Sequence, residues 1–402
     1  MRRRNHSAFR ILSSVLAVCL SVVGWSAATA AEPAPPPKLL AHVMPWYAAK
    51  PISGHWGWHW TMNRFDPERQ EGGRRQIASK LSPTIGPYDS SDTSVLEYHL
   101  LLMKLAGIDG IIIDWYGLTD VNDYAELHRN TTLLIDMAGP LGLEVAICYE
   151  DRTVLELEKK GVLEQGRAAH AAGEMQWLAE HWFPLDHYVR HNGEPLLLSF
   201  GVANMTDDEW NDALQLADVP VAYVSQAKRR PTARGVFDWP VPSQGLAAQK
   251  RFLQSTANEA LAIPVAFPRF DDIYEQAGLH KSYGHIPDDK GRTFATTLHN
   301  AVTAGHPLVQ IATWNDWGEG TSIEPSLEYG TRDLEAIQQI RREHIDPRFP
   351  HTAKSLSLPL RLLGLRKTSA ADPATLDAIA LLIARDDTAE ADKRVTALEN
   401  RE

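Results

Sequence analysis

The chain alternates short runs of β-branched and aliphatic residues with longer amphipathic segments over most of its length. A continuous apolar run such as Ile111 to Ile113 is typical of a strand that is covered on both faces. Eight runs of this kind, with helices between them, predict a (β/α)8 barrel, and a doubly wound open sheet is the alternative. The predicted strands cover residues 39–46, 110–115, 144–149, 195–200, 219–224, 235–239, 263–267 and 308–314.

Helical periodicity fills most of the intervals between these strands. Gly107 follows the first periodic segment, at the position where a glycine often ends a helix. The connection at residues 225–234 is short and basic, so one unit of the barrel is expected to lack a good helix. The predicted helices cover residues 92–106, 123–138, 166–182, 207–217, 244–260, 292–303 and 332–344.

The two ends of the chain depart from this alternation. Four arginines among the first ten residues, an apolar run at 11–23 and small residues up to Ala30 predict a signal peptide over residues 1–30. The apolar run is shorter than the roughly 20 residues that a membrane span needs, so we expect cleavage near Ala30 or Ala31 and a secreted or periplasmic protein. A lipoprotein signal and the twin-arginine route are alternatives for export.

Residues 31–38 form a proline-rich linker before the barrel, which we place at residues 39–345. Residues 346–402 begin with a leucine-rich stretch and end in one or two predicted helices over 374–399. We expect this last segment to be a partly helical C-terminal appendage, packed on the barrel or in contact with another chain.

Charge and motif content exclude several functions. The formal net charge is -11, and beyond the first ten residues the basic cluster is limited to Lys228 to Arg230, so no nucleic-acid partner is expected. Of the two cysteines, only Cys148 lies outside the predicted signal, which excludes an internal disulfide in the mature chain. There is no phosphate-binding glycine loop, dinucleotide fingerprint or nucleophilic serine elbow, so we expect no cofactor.

Acidic and aromatic residues collect at the C-terminal ends of the predicted strands, where a (β/α)8 barrel carries its chemistry. Aromatic rings stack on the apolar face of a sugar, while carboxylates and amides bind its hydroxyl groups. Each such residue alone is as readily a helix cap or a core residue, but their coincidence favours a glycan site. The predicted substrate-binding residues at these ends are Tyr47, Asp114, Trp115, Tyr116, Glu150, Trp239, Asp271 and Asn315.

A tryptophan-rich loop, residues 54–60, follows the first predicted strand. Exposed indoles reduce solubility unless they bind a ligand, so we expect Trp56, Trp58 and Trp60 to lie on the rim of the glycan site, with Trp56 and Trp58 binding sugar. His55 and His59 are four residues apart, but no His-Glu-x-x-His motif or cysteine ligand accompanies them. We therefore expect no metal site.

The segment 308–324, LVQIATWNDWGEGTSIE, places Asp316 and Glu319 three residues apart after the last predicted strand. Glu324 lies beyond them and is a further predicted substrate-binding residue. Two carboxylates in one pocket are the usual equipment for cleaving an acetal, since one donates a proton to the leaving oxygen and the other acts on water or sugar. A helix cap or a calcium-binding turn is the alternative, although the spacing of these acids does not fit a calcium loop.

The sequence TWNDWGEGTSIEPS resembles the strand-eight signature of glycoside hydrolase families 71 and 99. Further blocks are similar to family 99 in the same order, and the likeness covers about residues 39 to 345. It implies a (β/α)8 barrel that acts on α-linked mannosides or α-glucans without a metal or cofactor. These blocks lie at residues 45–47, 86–92, 106–108, 114–116 and 270–272.

The resemblance also implies roles for individual residues. Glu319 matches the acid/base, and Asp316 matches a glutamate that deprotonates the sugar 2-hydroxyl to give an anhydro-sugar intermediate. Asp316 departs from that pattern, because its side chain is one methylene shorter and reaches roughly 1 to 1.5 Å less far, a shift to which catalysis is sensitive. Glu150, Trp115 and Tyr47 match a substrate-binding glutamate, an active-site tryptophan and an active-site tyrosine.

Two hypotheses about function follow. The first is an exported glycoside hydrolase that cleaves α-linked mannosides or α-glucans in an oligosaccharide or polysaccharide. The second is a carbohydrate-binding or polysaccharide-assembly protein that keeps the barrel and the aromatic cleft without turnover. The presence of both Asp316 and Glu319 favours the enzyme, while the sugar, the anomeric outcome and the oligomeric state stay open.

Overall fold

Parallel strands at eight positions form a closed barrel in the computed structural model, which describes residues 35–401 except residues 51 and 369. The predicted signal peptide lies outside the described residues. The barrel strands are β1 (Lys38–Val43), β2 (Gly110–Trp115), β3 (Glu144–Glu150), β4 (Glu194–Phe200), β5 (Ala222–Gln226), β6 (Gly235–Phe237), β7 (Ala262–Ile263 and Val265–Ala266) and β8 (Leu308–Ile311).

Strand β7 closes the barrel in two pieces separated by Pro264, which has no backbone N–H to donate. The first piece pairs with β6, and the second pairs with β8. Strand β8 pairs in turn with β1. The sheet therefore has no open edge, which confirms the predicted barrel and excludes the doubly wound sheet.

Helices surround the barrel and continue beyond it. The predicted helices are present with ends that differ by a few residues, whereas the helices at Trp58–Thr61, Arg152–Lys159, Tyr274–Ala277 and Ser357–Thr368 were not predicted. The described residues between β5 and β6 form turns without a helix, as expected. The helices are α1 (Trp58–Thr61), α2 (Thr93–Ala106), α3 (Tyr124–Ala138), α4 (Arg152–Lys159), α5 (Arg167–His181), α6 (Asp207–Ala217), α7 (Leu246–Thr256), α8 (Tyr274–Ala277), α9 (Arg292–Val302), α10 (Arg332–His344), α11 (Ser357–Thr368), α12 (Pro373–Ala384) and α13 (Thr388–Glu399).

Helix α2 shows how the local sequence sets these boundaries. The Asp92 carboxylate accepts a hydrogen bond from the Ser94 N–H (3.0 Å) and caps the first turn. The helix ends at Gly107, whose φ of 90° is a left-handed conformation that favours glycine. A Cβ at Gly107 would also meet the side chain of Arg341, so the close approach of α10 requires a glycine here.

The barrel interior is filled by alternate residues of the strands. Leu40, Ile112, Leu198 and Val224 are fully buried there, and each contributes about 1.5 to 3 kcal/mol by leaving water. Side chains nearer the C-terminal strand ends become polar and face an open cleft. This change in polarity places the chemistry at the end of the barrel where this fold carries it.

The C-terminal helices pack on the side of the barrel. Helix α11 contacts α2, and the Arg366 guanidinium bonds both carboxylate oxygens of Glu97 (3.0 and 2.7 Å). Helices α12 and α13 pack against α11. Among the described residues, no helix combines the length and the apolar character needed to cross a membrane.

Candidate active site

A cleft of about 480 Å³ opens above the C-terminal ends of the barrel strands. Acids from β2, β3 and the segment after β8 line it, and aromatic rings form part of its wall. Side chains from most of the strand ends contribute to its lining, among them Asp114, Tyr116, Glu150, Arg152, Phe200, Gln226, Trp239, Tyr274, Asp316 and Glu319.

The turn after β8 is tied to β1 through backbone atoms. The Asn315 side chain accepts a hydrogen bond from the Met44 N–H (2.8 Å) and donates one to the Met44 carbonyl (3.0 Å). The Trp314 N–H donates to the carbonyl of His42 (2.7 Å). These bonds fix the start of the turn against the neighbouring strand.

Two buried tyrosines hold the same turn from below. The Tyr47 hydroxyl donates to the Asn315 carbonyl (2.8 Å) and accepts from the Trp317 N–H (3.1 Å). The Tyr88 hydroxyl donates to the Glu324 carboxylate (2.7 Å) and accepts from the Asn315 side chain (3.1 Å). Both tyrosines therefore position the residues that flank Asp316.

The two carboxylates of the turn face the cleft. Asp316 is 5% exposed and Glu319 is half-buried. The Glu319 N–H donates to Asp316 Oδ1 (3.0 Å), which orients the aspartate and leaves its second oxygen free of that bond. Gly320 follows with a φ of 70°, and a Cβ there would lie 2.9 Å from the Asp271 carbonyl, so the turn requires glycine.

Burial and charge separate the proton affinities of this pair. Burial raises the pKa of Asp316 to about 6, while backbone N–H groups of Glu319 and Gly318 oppose the shift. Burial also raises the pKa of Glu319 well above its ordinary value, and the negative charges of Asp316 and Asp272 reinforce the effect. Glu319 therefore retains its proton where Asp316 is ionised, which is the division that an acid and a base require.

Two further acids line the cleft from β2 and β3. Burial, and to a smaller extent the negative charge of Asp316, raises the pKa of Asp114 to about 8. Burial, and to a smaller extent the negative charge of Asp114, also raises the pKa of Glu150. Arg152 is the one arginine or lysine in the described lining of this cleft. The site is strongly acidic for its size.

Two more pockets adjoin the central cleft. An outer pocket of about 590 Å³ includes Trp56, Trp58 and His59, and it shares Trp46 and Tyr116 with the cleft. A third pocket of about 350 Å³ adjoins the same two aromatic residues and reaches Asp316. Because Trp46 and Tyr116 line all three spaces, the three pockets adjoin one another.

The structure brings together most of the residues that the sequence assigned to a site. In addition to Asp316 and Glu319, the central cleft is lined by Asp114, Tyr116, Glu150 and Trp239, while Trp56 and Trp58 line the outer pocket. The prediction that Trp60 lies on the rim is wrong. Its ring is fully buried, and its Nε1 donates to the Tyr88 carbonyl (2.7 Å), because α1 turns this residue into the core.

Four residues predicted to bind substrate line none of these three pockets, whereas Tyr47 lines the third one. Trp115 faces the surrounding helices and packs on Trp177 and Trp182, because side chains alternate along β2 and its neighbours face inward. Asn315 and Glu324 lie under the turn in the hydrogen bonds described above. Asp271 forms an ion pair with Lys80 and does not line the cleft, although its neighbour Phe270 does.

Several lining residues were not in the predicted site. Arg152 and Gln226 lie at or just after strand ends, so their positions were available from the strand assignment. Tyr274 and Tyr283 come from the long connection after β7, where no periodic pattern indicated contact with the cleft. His42 reaches the floor from the middle of β1.

A closed parallel barrel with an acid pair and aromatic walls at the strand ends has the architecture of a barrel glycoside hydrolase. Searches of family profiles give no match to this sequence. Comparison with individual proteins does identify relatives. The chain is 30% identical over 333 residues to the glycoprotein endo-alpha-1,2-mannosidase of Mus musculus, covering 74% of this chain and 70% of the relative.

A second relative, the glycoprotein endo-alpha-1,2-mannosidase of Xenopus laevis, is 22% identical over 341 residues, covering 75% of this chain and 73% of that protein. The solved structure of the GH99 endo-alpha-mannosidase from Bacteroides thetaiotaomicron shares the fold, with a TM-score of 0.60 at 16% identity over 77% of this chain and 98% of that one. The chain belongs to the endo-α-mannosidase family, glycoside hydrolase family 99, and is a glycoside hydrolase.

Proposed function

We propose that this protein hydrolyses α-mannosidic bonds, with Glu319 as the acid/base and Asp316 as the partner base. The observation that carries the proposal is the turn after β8, which holds both carboxylates at the cleft and links them through the Glu319 N–H to Asp316 Oδ1 bond. The names of the relatives support an α-mannoside as substrate.

The chemistry divides between the two carboxylates. Glu319 donates its proton to the glycosidic oxygen as the bond to the sugar breaks, so the leaving sugar departs as an alcohol. Asp316 accepts a proton either from water attacking the anomeric carbon or from the sugar 2-hydroxyl. Attack by water in one step inverts the anomeric carbon, whereas an anhydro-sugar intermediate opened by water retains it.

Action inside a glycan chain is supported by the way the pockets adjoin. The central cleft continues past Trp46 and Tyr116 into the outer pocket, so there is room for more than one sugar of a chain. Trp58 is 40% exposed and offers a stacking surface in that outer pocket. We assign Tyr47, Asn315 and Glu324 to positioning of the turn instead of to sugar contact.

The test is NMR of the products formed from a panel of α-mannans and α-glucans. We expect cleavage of α-mannosides, and the first anomer detected separates the two roles of Asp316. Asp316→Asn should abolish most turnover. Asp271→Asn is the matched control, because its carboxylate lies outside the cleft and should leave turnover unchanged. Activity on α-glucans alone would overturn the substrate assignment, and full activity of Asp316→Asn would overturn the site.

Export is a further part of the proposal. The basic and apolar character of residues 1–23, followed by small residues, supports removal of the segment before Ala31 or Glu32. Mass spectrometry of the mature N-terminus should find one of these residues first. A mature protein that retains residues 1–23 would contradict this part of the proposal without affecting the catalytic assignment.

A further inference from the structure

Three side chains able to bind a metal meet at the floor of the central cleft. The potential ligand atoms of His42, Asp114 and Cys148 all lie within 4.8 Å of one another. The three residues are 1%, 4% and 0% exposed, respectively. They form a buried polar cluster next to the apolar residues that fill the barrel interior.

The strand register explains why these residues converge. Asp114 on β2 pairs directly with Cys148 on β3, so their side chains point to the same face of the sheet. On β1, His42 pairs with Ile112, two residues before Asp114, and therefore also faces the barrel interior. The ligand set thus comes from three adjacent strands of the barrel.

His42 has unused hydrogen-bonding capacity. Neither ring nitrogen makes a well-aligned hydrogen bond among the described residues, although the ring is buried and the Gln310 side chain lies within hydrogen-bonding reach. Buried polar atoms usually have a partner, because leaving one unpaired costs free energy. The Gln310 amide lies beside the ring, its nitrogen donates to the Asp238 carbonyl, and its oxygen has no donor. Gln310 is thus placed to orient the His42 imidazole when that ring binds a metal.

We propose that His42, Asp114 and Cys148 bind a divalent cation, with zinc as the best fit. Zinc prefers tetrahedral sites made of histidine nitrogen, cysteine sulfur and carboxylate oxygen. Ligand atoms in such a site are roughly 3 to 4 Å apart, so the side chains move together by about 1 Å on binding. His42 and Asp114 also line the cleft, which leaves a fourth coordination position open towards the substrate.

Charge balance supports a cation at this position. Asp114, Glu150, Asp316 and Glu319 line one cleft, and Arg152 is the one arginine or lysine in its described lining. A zinc ion with one thiolate, one carboxylate and one neutral imidazole is electrically neutral, so it removes the charge of Asp114 from this group of acids. Asp316 and Glu319 are not ligands, and the metal proposal is independent of their catalytic roles.

The first experiment measures metal directly in the full chain. Protein purified in chelator-free buffer and then loaded with Zn²⁺ should retain close to one equivalent by mass spectrometry of the metal. Loading with Co²⁺ should give a thiolate-to-metal charge-transfer band. In a Cys19→Ser background, Cys148 is the one remaining thiol, so that band identifies the ligand without any change at the site.

Variants then test each part of the site. Cys148→Ala and His42→Ala should lose the bound equivalent, whereas Gln310→Leu should weaken zinc binding by about 10- to 100-fold. His55→Ala is the matched control, because this histidine is exposed at the outer pocket and should leave the stoichiometry unchanged. Retention well below one equivalent, or bound Co²⁺ without a charge-transfer band in the Cys19→Ser protein, would overturn the proposal even if a site variant failed to fold.

Discussion

Replacing Tyr47 by phenylalanine tests whether the tyrosines beneath the active-site turn position its carboxylates. The Tyr47 hydroxyl bridges the Asn315 carbonyl and the Trp317 N–H, on either side of Asp316. Tyr47→Phe deletes this bridge and keeps the ring, which packs on Trp60 with a centroid distance of 4.2 Å. The change therefore isolates the hydroxyl group.

The loss of stability in Tyr47→Phe depends on which hydrogen bonds Trp317 and Asn315 still make without the hydroxyl. The Trp317 N–H also donates to the Asn315 carbonyl (2.9 Å), so neither group becomes unpaired when Tyr47 loses its hydroxyl. The loss of stability should be about 0.5 to 1.5 kcal/mol, the range for neutral hydrogen bonds whose partners stay paired. Tyr88→Phe should cost more, about 2 to 3 kcal/mol, because it removes a donor from the buried Glu324 carboxylate.

Urea unfolding and steady-state kinetics together provide the assay. Tyr47→Phe should lower kcat by about 10-fold or more, since displacement of a catalytic group by about 1 Å can cost 10²-fold. Tyr223→Phe is the matched control, because its buried hydroxyl pairs with Ser199 (2.9 Å) away from the turn. It should lose similar stability at unchanged kcat. Equal kcat in Tyr47→Phe and wild type, at the expected loss of stability, would refute the positioning role.

Three further predictions concern the outer pocket, the C-terminal helices and the acid. Trp58→Ala should weaken glycan binding by about 1 to 3 kcal/mol in calorimetry at nearly constant Tm, whereas Trp60→Ala should destabilise by about 3 to 5 kcal/mol; the reverse pattern would exchange their roles. Arg366→Met should lower the free energy of unfolding in urea by about 3 to 5 kcal/mol, because it leaves the largely buried Glu97 unpaired. The kcat of the folded fraction should not change. A loss of unfolding free energy below about 1 kcal/mol would contradict this prediction. Wild-type stability should fall as pH rises above about 4.5, because folded Glu319 keeps a proton that the unfolded chain releases. In thermal melts across this pH range, Glu319→Gln should show a smaller fall in Tm than the wild type. An equal fall in Tm for both proteins would contradict the raised pKa of Glu319.

The sequence was most informative about the barrel strands. Runs such as Ile111 to Ile113 are buried on both faces, so their composition reflects their environment directly. The division of β7 at Pro264 depends on contacts with both β6 and β8, and local composition carries no trace of those partners.

The sequence separated cleft residues from core residues less well. Trp115 could have been excluded from the cleft by the alternation along its own strand, since Asp114 and Tyr116 face inward. Trp60 could not, because a run of tryptophans, histidines and glycines has no clear period. The cluster of His42, Asp114 and Cys148 depends on the register between three strands, which is set by the closed barrel and not by sequence spacing.

The dependence of Glu319→Gln on the leaving group tests the central claim most directly. An acid that protonates the departing oxygen matters greatly for a sugar leaving group and little for an activated aryl group. We predict that Glu319→Gln lowers turnover by about 10² to 10⁴ on an α-linked mannan and far less on an aryl α-mannoside with a good leaving group. An equal loss on both substrates, or full activity on the mannan, would contradict the assignment of Glu319 as the acid.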